Sequence, residues 1–392
     1  MSLDTATLQT LVLTPGIHSR GLRPLLWGAP GTGKTASFES LCRSMGAECF
    51  TLVASQNEPS DVGGLPMFDG DGGMRYALPD WLMKADEVAR GGKIAVVFLD
   101  ELTTCPPSVQ AAMLRLVNEH EVRGYKLHKD VVFVAAANPT ECAAGGYDLA
   151  PPAANRWMHL DWGTPSVDEW CQGMIAGWAS ETEARPASEI VSLMDKNFPK
   201  EIAKAVGAVT GFTRSRRDLL MAMPKKGDPE AHKAWASPRT WDLVTKTIAG
   251  CSVMGVNEAV VDDLVAGCVG QGPASEFLAY RLAADLPDPE VLLDASNYKD
   301  VFELDTKRPD RTLAVLNSVA ALVCPKDAAK RKPRVKAAWE IIGDVSEGAA
   351  DVAMIAARSL LVAKAVDPKT TRKHLLKLGP VMAAAGEIAG VR

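Results

Sequence analysis

Gly28-Ala29-Pro30-Gly31-Thr32-Gly33-Lys34-Thr35 stands between a short apolar run, Arg23-Pro24-Leu25-Leu26-Trp27, and a helix-like segment from Thr35 to Met45. A glycine-rich loop that leaves a buried strand and opens a helix restricts the chain to few architectures. The same rhythm continues toward the C-terminus. Glu48–Val53, Lys93–Asp100 and Asp130–Asn138 read as strands, and the segment opening Pro106-Pro107-Ser108 places Val109, Met113, Leu116 and Val117 at helical spacing. Strands alternating with helices predict an α/β fold with a parallel sheet covered on both faces. Two interruptions read as hairpins: Gly63–Tyr76, with apolar arms around a Gly/Asp turn ahead of a helix at Asp80–Val88, and Glu121–Leu127 ahead of the fourth strand.

The glycine-rich loop fits G-x-x-x-x-G-K-[ST]. Its backbone can wrap closely, so successive N–H groups and the helix N-terminus face phosphates, with Lys34 neutralising charge and Thr35 offering a hydroxyl to Mg²⁺. The run ending Phe98-Leu99-Asp100-Glu101 adds two carboxylates at the C-terminal end of a strand, the edge beside which ligands sit in open parallel sheets. Asp100 is the candidate for the Mg²⁺ water shell and Glu101 for orienting or deprotonating an attacking water. Taken alone, Asp-Glu after a strand caps a helix more often than it does chemistry. Asn138, ending the next strand, could reach that water or a γ-phosphate, or simply begin an Asn-Pro turn.

On these residues the chain resembles an AAA+ ATPase of the MoxR-type branch: GAPGTGKT is similar to the family's Walker A, VVFLDE to its Walker B and AAANP to its sensor 1. The Gly63–Tyr76 hairpin resembles the helix-2 insert of that clade, and Glu121–Leu127 the hairpin before sensor 1. The resemblance implies ATP and Mg²⁺ as ligands, and a homo-oligomeric ring, hexameric in the family's usual form. It further implies an arginine finger at Arg156, in Ala154-Asn155-Arg156-Trp157, and a sensor 2 arginine at Arg239, in Ser237-Pro238-Arg239-Thr240. The usual finger ends an Asp-Arg-Phe-like triplet, so Asn155 and Trp157 depart from the pattern. A protein client, and an adaptor with a von Willebrand A-type domain, are the partners it implies. A nucleic-acid translocase and a magnesium-chelatase-like metal-insertion subunit share the same core and are the alternatives.

Composition narrows these. At 392 residues, with 47% hydrophobic and 23% charged residues, the chain has the makeup of a folded protein of two or three domains. A net charge of −5 and no aromatic-plus-basic platform weigh against a nucleic-acid coat. Eight scattered cysteines without a Cys-x-x-Cys pair argue against a disulfide framework or a zinc site. The start MSLDTATLQT lacks a signal-peptide pattern and no apolar run is long enough to span a bilayer, so a cytoplasmic location away from membranes is expected.

The domain limits read from these signals are 1–164 for the ATPase core, 165–265 for a helical lid with sensor 2, and 266–392 for a helical region making partner or client contacts. Alanine-rich amphipathic segments such as Thr240–Ile248, Glu258–Val265 and Asp310–Leu322 carry the helical half. Met67, Phe68 and Tyr76 on the first hairpin, and Tyr125 on the second, are expected to pack onto their own domain, with gripping of a client as the alternative. The basic stretch Pro325–Lys336 is expected to be a solvated linker. Trp157, Trp162, Trp170, Trp178, Trp235 and Trp241 read as core or subunit-interface anchors.

Overall fold

The computed structural model describes residues 3–139, 146–176, 184–303, 308–328 and 330–384; Cys142 and Trp178 lie outside them. In chain order the elements begin α1 (Thr5–Leu13), β1 (Pro24–Trp27), α2 (Lys34–Met45), β2 (Glu48–Val53), α3 (Pro59–Gly63), β3 (Leu65–Phe68), β4 (Met74–Ala77), α4 (Asp80–Arg90) and β5 (Ala95–Asp100). They continue α5 (Pro107–Glu119), β6 (Glu121–Val122), β7 (Tyr125–Lys126), β8 (Val131–Ala137), α6 (Pro151–Ala154), β9 (Met158–Asp161), α7 (Val167–Ala176) and α8 (Ala187–Ser215). The remaining helices among the described residues are α9 (Pro238–Met254), α10 (Glu258–Val269), α11 (Gln271–Ala284), α12 (Pro289–Asp294), α13 (Pro309–Val323), α14 (Arg331–Val345), α15 (Ala350–Val362) and α16 (Pro368–Ala384).

Two compact units result, one of residues 1–196 with 221–274, the other of 197–220 with 275–392. In the first, a five-stranded sheet in the order β2-β5-β8-β1-β9 is parallel throughout. β8 is buried at every position, as a strand covered on both faces must be, which is why its sequence is an unbroken apolar run. Leu99 pairs with Ala135 and Trp27 with Ala137, so β5, β8 and β1 finish side by side. Asp100, Asn138 and Gly28 therefore emerge on one rim of the sheet. The strand pattern of the sequence stops short of β9, whose His159 breaks the apolar run; α6 turns into it through Trp157, fully buried in the sheet's core. Helix α10 packs on β9, and α1 on α9, within the same unit.

The two hairpins behave differently. In β6–β7, Tyr125 packs back as expected: its hydroxyl donates to Asp86 Oδ2 at 2.6 Å, and the buried Asp86 also accepts from His128 N and Arg90 Nε at 2.6 Å each. Burial pushes the Asp86 carboxyl up, and these hydrogen bonds outweigh it and hold it below its ordinary value. In β3–β4 the expectation of packing fails. Phe68 is 84% exposed and Leu65, Met67 and Met74 are open as well. Only four residues long on each arm, the ribbon stands clear of the sheet; Tyr76 is covered by the Arg123 guanidinium, 4.2 Å above its ring.

The second unit is helical, built around Trp339, Leu316, Val319, Ile342 and Ala357, with the Trp339 indole donating to Ala365 O at 2.8 Å. Here the linker expectation for Pro325–Lys336 is corrected: from Arg331 the chain is already α14. Arg334 is 5% exposed, forks onto both oxygens of Asp294 at 2.9 Å, and reaches Glu290 Oε1 at 2.9 Å. A basic run reads as solvated until the fold supplies its carboxylates, and α12 supplies two. Among the described residues no helix is long and apolar enough to cross a membrane.

Candidate active site

The rim of the sheet gathers most of the residues singled out by their spacing. The loop from Gly28 to Gly33 ends in a left-handed residue, Gly33 at φ 82°, that serves as the N-cap of α2 without a side chain, leaving the first N–H groups of the helix facing out. At Gly28 the constraint is crowding: a Cβ there would lie 2.5 Å from the backbone oxygen of Trp162. That tryptophan braces the loop, its indole donating to Thr32 O at 3.1 Å and its backbone N–H to Trp27 O at 2.6 Å.

Lys34 lies inside this loop. Its ammonium donates to Gly28 O at 2.7 Å, Ala29 O at 3.0 Å and Asn138 Oδ1 at 3.1 Å. Burial lowers its pKa, against the pull of Asp100. Thr35 Oγ1 donates to Asp100 Oδ2 at 2.6 Å, so the hydroxyl and the carboxylate from two elements converge on one point. Two hard oxygen donors side by side, next to an N–H cradle for phosphates, suit Mg²⁺, a cation bound through one or two protein oxygens plus phosphates. Glu101 takes a left-handed φ of 56°, which turns it off the strand; its carboxylate accepts from Ser55 Oγ at 2.6 Å. Neither acid caps α5, whose N-cap is Pro106. A cavity of about 790 Å³ opens beside the loop, lined by Gly31 to Gly33, Leu8, Ala36, Trp162 and Trp170. Its size and mixed lining fit a small-molecule site.

Arg156 and Arg239 lie elsewhere. They line a separate cavity of about 310 Å³ together with Arg23, and the two cavities share no residue. Burial lowers the pKa of Arg23 and Arg156, and Arg239 nearby acts in the same direction on both. Their placement depends on Asn155, the residue that departs from the family's usual triplet. It is buried, donates to Trp235 O at 2.9 Å and accepts from Ser237 Oγ at 2.7 Å. Ser237 is the N-cap of α9, on whose first turn Arg239 stands. One amide thus ties the turn carrying Arg156 to the helix carrying Arg239.

Sequence reading misses Ser55 and Arg23, takes Trp162 only as a core or subunit-interface anchor, and takes Asn155 only as a departure from the family's triplet. Ser55 and Trp162 follow strand ends and carry no local signal, and Asn155 and Arg23 acquire theirs from partners distant in sequence. Spacing singles out the loop, Thr35, Asp100, Glu101 and Asn138 because they follow strand ends that finish side by side; Arg156 and Arg239 are implied by the resemblance alone.

Residues 24–156 match the family model of the AAA domain (dynein-related subfamily). No curated protein matches the chain. Among solved structures it is similar to a candidate ATPase from Cytophaga hutchinsonii, at 16% identity over 67% of this chain and 81% of that one, with a TM-score of 0.44. It is also similar to a full-length MCM homolog from Methanopyrus kandleri, at 16% identity over 71% of this chain and 54% of that one, with a TM-score of 0.37. The sheet with its phosphate loop has the α/β P-loop AAA+ fold, followed by helices, and the protein is an ATPase.

Proposed function

We propose that this chain is a MoxR-like AAA+ ATPase that assembles into a ring, hexameric in the form the family implies, and turns ATP hydrolysis into remodelling or activation of a protein client. The observation that carries the reading is the division of the catalytic groups: a phosphate loop with its carboxylates at one site and, at another, arginines that are in no ion pair among the described residues. A site split in this way is completed when a second copy brings its arginines to the first copy's nucleotide.

Lys34 leaves its loop carbonyls for the β- and γ-phosphates, and Asn138, already at hydrogen-bond distance, keeps its ammonium aimed. Thr35 and Asp100 would hold Mg²⁺, which when bound neutralises charge developing on the phosphate oxygens. Glu101 orients the attacking water and accepts its proton, once released by Ser55. Arg156, and Arg239 with it, stabilise the equatorial oxygens of the transferring phosphoryl group on the neighbouring copy, a contribution of roughly 10³–10⁵ in rate. The exposed β3–β4 ribbon supports a protein client, since Leu65, Met67, Phe68 and Met74 on its arms are open to solvent. We assign 1–164 to the core, 165–265 to a lid and 266–392 to partner or client contacts, with a cytoplasmic location and a von Willebrand A-domain adaptor.

The test is subunit mixing. Arg156→Ala and Glu101→Gln proteins are each expected to bind ATP and turn over at least about a hundredfold more slowly than wild type. Mixed, they should recover activity above the sum of the two, because some interfaces then pair an intact Glu101 with an intact Arg156. Mixed assemblies that form and recover nothing would sink the shared site.

A further inference from the structure

Arg23 precedes β1 with a φ of 53°, a left-handed conformation that residues with a Cβ enter at a cost. A glycine would make this turn without strain, yet an arginine occupies it, and its side chain lines the 310 Å³ cavity beside Arg156 and Arg239. Its NH1 donates to Asn118 Oδ1 at 2.9 Å, a neutral partner. The carboxylates of the cavity wall are already engaged, Asp242 by Lys246 and Glu119 by Arg115. Among the described residues none of the three guanidiniums is in an ion pair. Arg156 Nε is in addition buried without a hydrogen-bond partner. Like charges collected in a recess, with a buried donor left over, are tolerated when an anion is the intended occupant.

We propose that Arg23 is a third anion-binding group of this cavity, and that the three arginines together take the terminal phosphates of a nucleoside triphosphate presented by a second copy of the chain. The cavity lies at the small end of the roughly 300–1,000 Å³ range of ligand pockets, which suits phosphates better than a whole nucleotide. The intersubunit part rests on the proposed roles of Arg156 and Arg239. The anion site itself does not.

Inorganic tripolyphosphate is the probe, titrated calorimetrically into Lys34→Ala protein so that the phosphate loop contributes nothing. It should bind, more weakly as salt rises, and Arg23→Gln in the same background should weaken it about tenfold or more. Arg23→Lys, which keeps the charge and loses the fork, should recover part of the affinity. Equal affinity with and without Arg23 overturns the proposal. In the otherwise wild-type chain, Arg23→Gln should also lower kcat about tenfold or more, as expected for a group that holds the transferring phosphates. Arg23-dependent tripolyphosphate binding with an unchanged kcat would overturn the link to hydrolysis, leaving a site for free polyanions. The mixing experiment on Arg156 and Glu101 is independent of either result.

Discussion

At the scale of single residues, two groups make opposite use of burial. Lys34 is buried yet satisfied, with three acceptors around its ammonium, and in the proposed mechanism it exchanges those acceptors for phosphate oxygens when a nucleotide enters. Lys34→Ala should weaken ATP binding by roughly 30- to 100-fold, the worth of a charged hydrogen-bonding group, in an equilibrium titration; unchanged affinity would remove it from the phosphate site. His159 is buried and held neutral. Its Nδ1 accepts from the Trp27 indole at 2.9 Å, its Nε2–H donates to Ala154 O at 2.9 Å, and burial brings its pKa from 6.5 to about 4. Because the folded value lies below the unfolded one, the stability this residue contributes is present above pH 6.5 and is lost as pH falls toward 4. Between pH 7 and pH 5 the loss should be about 2 kcal/mol. Urea melts of wild type and His159→Leu at the two pH values check it, the variant showing the smaller drop. Lys34 is legible in the sequence because all of its signal lies within one loop, whereas His159 looks like a break in an apolar run until β1 is laid against it.

Pairs of elements carry what single residues cannot. The α6 turn and α9 are joined through Asn155, whose partners Ser237 and Trp235 are some 80 residues away, so no local pattern could announce it. Asn155→Ala leaves the Ser237 hydroxyl and the Trp235 carbonyl short of a partner and is expected to destabilise by about 1–3 kcal/mol. Asn155→Asp, which still accepts from Ser237 but cannot donate to Trp235, should fall between the two in denaturant titration. Equal stability of all three proteins would show that the tie is incidental. The same logic explains why the start of α14 has the local pattern of a linker. Its first turn is basic and opens on Arg331-Lys332-Pro333, and only the carboxylates of α12 make a helix start of it. The β3–β4 ribbon fails in the opposite sense: apolar side chains at hairpin spacing usually mark a buried face, and here the ribbon is too short and too far from the sheet to bury one.

For the whole molecule, the proposed division of the site between two cavities makes activity an expected property of assembly. Specific ATPase activity should fall on dilution, in parallel with the loss of oligomer seen by light scattering, and ATP should shift that midpoint to lower protein concentration. A specific activity independent of concentration down to the monomer would contradict the division. The α/β sheet and its rim are readable from sequence since parallel strands bury both faces and advertise themselves as apolar runs. The arginine recess is not, because it is assembled from the approach to β1, the α6 turn and the first turn of α9.

One brace has a use beyond support. The Trp162 indole is hydrogen-bonded to a carbonyl of the phosphate loop and forms part of the wall of the larger cavity, while Trp157 and Trp241 are buried. Any displacement of Thr32 alters the polarity around that fluorophore, with Trp170 on the same cavity wall. The chain therefore carries its own optical gauge of loop movement, and nucleotide arrival can be timed by ultraviolet emission without attaching a dye.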